Sequence, residues 1–189
     1  MRISPQGLFR EVQLLCPFSA ARASRGLIVI EDGKRNDLEN TAKVYALGHL
    51  GVVETRFGSR SSIDVDFLTV NPYLGSDGLN PFVNVCKEHG KGIFILVKTS
   101  HPSSGELQDC LVEHRMKEQT VLERIGIKTQ DELTSRPLTY LYNIVALQVN
   151  RYAHSLVGKR GYSPIGAVVG ATYPEHAKSF GKLCLTVTF

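Results

Sequence analysis

Apolar residues in this chain gather into short, nearly continuous runs set off by polar and turn residues. Four stand out: Gly26-Leu-Ile-Val-Ile-Glu31, Val65-Asp-Phe-Leu-Thr-Val70, Gly92-Ile-Phe-Ile-Leu-Val97 and Ile165-Gly-Ala-Val-Val169. Strings of this kind, rich in β-branched residues and without strict alternation, predict strands buried on both faces, the habit of parallel sheets. Helical patterns lie between them, over Thr41 to Leu50 and Pro81 to His89. The clearest runs from Leu138 to Val157, where Leu138, Leu141, Val145, Val149, Tyr152 and Leu156 recur at steps of three and four and predict one apolar stripe. Gly158 and the basic pair Lys159-Arg160 mark its end. Gln108 to Arg136 is charged and weakly periodic, and reads as helix and loop outside the sheet. Leu183 to Phe189 reads as a fifth strand. Strands alternating with helices imply right-handed βαβ units and an α/β fold. With no repeat, low-complexity stretch or linker, residues 1–189 read as a single domain.

The 189 residues, 42% hydrophobic and 21% charged, suffice for one domain with a core of its own. No apolar run approaches the roughly 18 residues of a membrane span. Met1 to Ala20 lacks the basic-then-apolar order of a signal peptide, which points to the cytoplasm. Cys16, Cys86, Cys110 and Cys184 are scattered without a C-x-x-C, against a disulfide scaffold or zinc ribbon. A net charge of +4 suits an anionic ligand. Its lysines and arginines are dispersed, so no nucleic-acid partner is expected.

Candidate chemistry sits at the end of the first run, in Glu31-Asp32-Gly33-Lys34-Arg35-Asn36-Asp37. Strand alternation sends Asp32 and Lys34 to one side and Glu31 and Gly33 to the other. Asp37 follows three residues on, within reach once the chain turns into a helix. The pattern predicts a lysine with a carboxylate on either side, its ammonium held charged and able to act as an acid. The same spacing also fits a solvated string of charges. Its position at the C-terminal end of a buried strand favours a site, because α/β enzymes build theirs there. Other runs end in similarly polar fashion, at Asn71-Pro72-Tyr73, Lys98-Thr99-Ser100-His101 and Ala171-Thr172-Tyr173.

Taken in order, Asp32-Gly-Lys-Arg-Asn-Asp37, Thr69-Val-Asn-Pro-Tyr-Leu-Gly75, Val97-Lys-Thr-Ser-His-Pro102 and Gly166-Ala-Val-Val-Gly-Ala-Thr-Tyr-Pro174 resemble the orotidine 5′-phosphate decarboxylase family, in particular its longer bacterial type, over residues 26–178. The resemblance implies part of a (β/α)8 TIM barrel, its third to sixth strands with Leu183 to Phe189 at best a seventh. It implies a homodimer that converts orotidylate to uridylate and carbon dioxide with no metal or organic cofactor. By that likeness Lys34 protonates the carbanion left by carbon dioxide. Asp32 presses its charge on the substrate carboxylate and holds Lys34, and Asp37 reaches into the partner subunit's site. Thr41 contacts substrate across that interface, Ser100 meets the pyrimidine ring, and Asn71 joins the substrate-binding set. Leu38 stands where the family usually has isoleucine, a volume-conserving change.

The family's first strand with its ribose-binding aspartate, its second-strand lysine, and its glycine-rich phosphate loop with an arginine have no counterpart here. The chain is expected to match the middle of the barrel, and by itself to show weak or no turnover and low stability. Two further readings stay open: a non-catalytic piece of that enzyme, and a magnesium-using sugar-phosphate decarboxylase or aldolase of the same barrel superfamily. The T-V-N-P-Y-L-G and V-K-T-S-H-P strings favour the orotidylate enzyme. Cys86-x-x-His89 and Cys110-x-x-x-His114 have ligand-like spacings, yet pairs of this kind arise readily by accident, and no metal is expected. No G-x-S-x-G elbow surrounds Ser100, and no P-loop or G-x-G-x-x-G occurs.

Overall fold

A computed structural model of the protein describes residues 25–113, 138–172 and 174. The chain divides into two compact units, Met1–Phe94 and Ile95–Phe189, with the boundary inside one strand.

In the first unit, β1 (Ile30–Arg35) leads into α1 (Glu39–Leu50), a hairpin of β2 (Val52–Thr55) and β3 (Gly58–Ser61), then β4 (Phe67–Val70), α2 (Gly75–His89) and the start of β5 (Gly92–Lys98). The sheet order is β1, β4, β5. β1 and β4 run parallel, with Ile30 opposite Phe67 and Glu31 opposite Leu68. Leu68, Val70, Ile93 and Phe94 are buried on the sheet; α1 and α2 pack together, with Ala42, Ala46 and Leu50 of α1 and Leu79, Phe82 and Cys86 of α2 buried. Burial pushes the Cys86 thiol up to about 12, as suits a core thiol.

Three expectations change here. The first run was expected to be buried on both faces, but Leu27 is 54% and Ile28 69% exposed. β1 is the outer strand of its unit, so one of its edges has no strand neighbour among the described residues. The second helix starts at Gly75 rather than Pro81; Pro81 lies inside it, at the cost of one main-chain bond. The β2–β3 hairpin was not expected. Its strands are mostly polar and exposed, and Gly58 takes the left-handed φ of +99° that the turn needs.

In the second unit, the remainder of β5 is followed by a 3-10 turn (Pro102–Ser104), α3 (Gly105–Gln108), β6 (Leu111–Glu113), β7 (Leu138–Tyr140), α4 (Leu141–Ser155) and β8 (Ile165–Val169). β8, neighbour of β5, coincides with the fourth apolar run. β6 and β7 pair antiparallel as a separate ribbon. Leu138 therefore belongs to a strand, and the segment expected to be helix and loop contributes β6. Residues 114–137 and the expected fifth strand at Leu183 to Phe189 lie outside the described residues. The buried face of α4 is Tyr142, Asn143, Ala146, Leu147, Val149 and Ala153, so of the expected stripe only Val149 is fully buried. Small and large residues share that face, Ala146 and Ala153 beside Tyr142, Leu147 and Val149.

Candidate active site

β1 does not stay regular to its end. Glu31 pairs with Leu68 and Arg35 with Val70, so extra residues bulge out between those two register points. Within the bulge Lys34 takes a φ of +46°, the left-handed region that non-glycine residues enter only at a cost. The bulge keeps Asp32 and Lys34 on one side, where Lys34 Nζ is ion-paired with Asp32 Oδ2. Both side chains are more than half exposed. The expected projection of this pair to a common side is therefore found, by a bulge rather than by plain alternation.

The Asp32 carboxyl is held below its ordinary value, first by the hydrogen bond from Lys34. Partial burial opposes that, while a hydrogen bond from Thr69 and the Lys34 charge add to it. Thr69, from the buried end of β4, donates its hydroxyl to Asp32 Oδ1 at 2.9 Å and accepts the Lys34 main-chain N–H at 2.9 Å. In the sequence Thr69 is marked only by being a lone hydroxyl near the end of an apolar run.

Asp37 corrects one expectation. Among the described residues the ion pair of Lys34 is with Asp32, and Asp37 Oδ1 instead accepts the N–H of Leu38 at 2.8 Å, at the entry to α1. Among the described residues the lysine is ion-paired with one carboxylate. The loop is also closely packed: a Cβ on Gly78 of α2 would lie 2.9 Å from Asn36 Oδ1 and 3.2 Å from the Asp37 carbonyl. Thr41 is exposed in the first turn of α1. Asn71 follows β4, donates its main-chain N–H to the Arg35 carbonyl at 2.9 Å, and accepts the Tyr73 N–H on its side chain at 3.0 Å. Asp32, Lys34, Asp37, Thr41 and Asn71 thus belong to the first unit, on and beside the ends of β1 and β4.

Ser100 belongs to the second unit, just beyond β5. Its neighbours are tied back on themselves. Gln108 Oε1 accepts the Thr99 N–H at 2.9 Å, and Gln108 Nε2 donates to Thr99 Oγ1 at 2.8 Å. The fully buried Lys98 donates to Asp109 Oδ1 at 2.6 Å. On the other side Gly170 approaches so closely that a Cβ there would lie 2.9 Å from the Ser100 nitrogen. In the sequence Gln108 is only the edge of a charged segment and Gly170 a glycine after an apolar run, and nothing local marks either partnership.

A cavity of about 350 Å³ between α1 and α2, bordered by Glu39, Lys43, Asp77 and Glu88, includes none of these residues. Among the described residues no cluster of His, Cys, Asp or Glu is arranged to hold a metal ion, and no helix is long and apolar enough to cross a membrane.

Comparison with known proteins bears on this geometry. Residues 16–188 match the family model described as Orotidine 5′-phosphate decarboxylase / HUMPS family. The chain is 40% identical over 171 residues to an orotidine 5′-phosphate decarboxylase of Caldicellulosiruptor bescii, covering 90% of this chain and 47% of that protein. It is 45% identical over 150 residues to the enzyme of that name from Rhodopirellula baltica, covering 79% and 41%. The structure of the Plasmodium berghei orotidine 5′-monophosphate decarboxylase covers 98% of this chain and 48% of its own, with a TM-score of 0.64 at 17% identity, a likeness of fold. The chain thus spans about half the length of the curated relatives it matches. Its four-stranded sheet and the helices beside it are part of a (β/α)8 barrel, and the chain belongs to the orotidine 5′-phosphate decarboxylase / HUMPS family.

Proposed function

We propose that this chain carries the charged centre of an enzyme that decarboxylates orotidine 5′-phosphate to uridine 5′-phosphate. The observation that carries the reading is the ion pair of Asp32 and Lys34, both projecting from the end of β1. The family description also covers a second branch, but the relatives at 40% and 45% identity bear the decarboxylase name.

The reaction asks for two things. The bond between ring carbon C6 and the carboxylate carbon breaks, leaving its electron pair on C6 as carbon dioxide departs. A proton must then reach C6. Lys34 supplies it from its ammonium, and the resulting amine is reprotonated from water. Asp32 anchors Lys34 and sets a negative charge beside the substrate carboxylate, where repulsion is relieved as carbon dioxide leaves. Asn71 and Ser100 bind substrate, Ser100 at the pyrimidine ring. Asp37, free of Lys34 in its own chain, serves the site of a second copy together with Thr41, making the working form a homodimer in the cytoplasm.

The test is decarboxylation of orotidylate in deuterium oxide by the purified chain. The reading expects uridylate bearing deuterium at C6. Absence of uridylate above the uncatalysed background would refute it.

A further inference from the structure

We propose that Thr69 is a positioning residue: its hydroxyl joins the main chain of Lys34 to the carboxylate of Asp32 and thereby sets where the Lys34 ammonium sits. For its bearing on catalysis the inference rests on the decarboxylase reading above; for its geometry it rests on the hydrogen bonds alone.

A threonine hydroxyl has one proton to give and lone pairs to accept with. Thr69 uses both capacities at this site, donating to Asp32 Oδ1 at 2.9 Å and accepting from the Lys34 N–H at 2.9 Å. The other oxygen of the same carboxylate, Asp32 Oδ2, takes the Lys34 ammonium. The contacts close a ring: Lys34 main chain, Thr69 hydroxyl, Asp32 carboxylate, Lys34 side chain. Lys34 is held at both ends through one intermediary.

Two features make the hydroxyl more than an incidental partner. Lys34 sits at a φ of +46°, and a strained residue persists only where its surroundings over-determine it. The Thr69 acceptor is what the main-chain N–H of that residue meets. Thr69 itself is 7% exposed within a regular strand, and a β-branched side chain there has few rotamers, so the direction of its hydroxyl is fixed. By contrast Asp32 and Lys34 are largely exposed and would move freely if their ring were opened.

The experiment uses the 189-residue chain and its Thr69→Val, Thr69→Ala and Thr69→Ser variants, read by NMR. Thr69→Val keeps the shape and removes the hydroxyl. The Lys34 amide should then exchange with solvent roughly tenfold faster, and the Asp32 carboxyl titration should move up toward 3.8, the ordinary value. Thr69→Ala should behave likewise, and Thr69→Ser should restore both signals. Unchanged Lys34 exchange and Asp32 titration in Thr69→Val or Thr69→Ala would overturn the proposal. So would loss of both in Thr69→Ser, or global unfolding of Val and Ala alike, which would make the hydroxyl a folding requirement. Turnover is a separate arm. If the wild-type chain decarboxylates orotidylate, Thr69→Val should lower kcat about 10- to 100-fold with KM nearly unchanged. If it does not, the functional reading fails while the two NMR signals still decide the role of Thr69.

Discussion

Glu31 and His49 face each other at 2.7 Å, on the side of β1 opposite Asp32 and Lys34. One short strand therefore takes part in two side-chain pairs with different surroundings. Asp32 and Lys34 look outward, whereas Glu31 and His49 lie in the layer between β1 and α1, with His49 buried. Tyr45 tilts against His49, and the Arg35 guanidinium lies over the Tyr45 ring at 5.7 Å from its centroid. The inner pair ties the last turn of α1 to the strand that bears the site.

Removing one member of that pair leaves the other buried without its partner. Glu31→Ala should lower stability by about 1–3 kcal/mol, read as a reduced urea midpoint. An unchanged midpoint would mean that water replaces the carboxylate at no cost and that the pair does not anchor α1.

Asp32 has a depressed folded-state pKa, so it stabilises the fold above its unfolded value of 3.8, and that contribution is lost as pH falls through the lower folded value. Wild type should therefore exceed Asp32→Asn in unfolding midpoint near neutral pH, and the gap should close as pH drops below 3.8. The gap should be small, because both partners are more than half exposed. A gap that widens with acid would contradict the assigned direction.

Gly78 tests the packing of the loop before α1. Alanine in a helix interior ordinarily gains about 0.5–1 kcal/mol over glycine. Here the new Cβ would meet Asn36 Oδ1 at 2.9 Å and the Asp37 carbonyl at 3.2 Å. Gly78→Ala should be net destabilising by about 1–3 kcal/mol and should shift the amide resonances of Asn36 to Leu38. A more stable variant with unmoved resonances would show the loop to be loosely packed.

Gly170 makes the corresponding test in the second unit. Its Cβ would meet the main chain and Cβ of Ser100 at 2.9 to 3.0 Å, atoms that cannot swing aside. Gly170→Ala should cost about 1–3 kcal/mol, measured as a fall in the thermal midpoint, and should perturb the Ser100 amide. Neutral behaviour at both readouts would rule out the close approach.

What could be read from the sequence follows physical lines. β4, β5 and β8 were legible because burial on both faces leaves an apolar string, and β8 coincides with its run residue for residue. β1 was displaced because all of it after Ile30, the polar stretch Glu31 to Arg35, is held in the sheet by register with β4 rather than by apolar content. The buried face of α4 was misjudged because periodicity weights large apolar residues, while the buried set includes Asn143, Ala146 and Ala153. In the site, Asp32 and Lys34 were legible from spacing. Asp37 was not correctly placed, since the bulge and turn at Lys34 to Leu38 redirect its carboxylate to the Leu38 N–H. Thr69 lies 35 residues from Lys34, and no local pattern encodes a partnership made by strand pairing.

The central claim is that Lys34 delivers the proton that replaces carbon dioxide. Its most direct test is the loss of orotidylate absorbance catalysed by the wild-type chain and by Lys34→Ala, beside titration of each with a uridylate analogue. With the family's ribose- and phosphate-binding segments restored to both chains, wild type should turn over orotidylate and Lys34→Ala should not exceed background, while analogue binding survives the substitution to a much larger extent, because affinity comes mainly from the restored contacts away from the reacting carbon. Equal turnover by the two chains would contradict it.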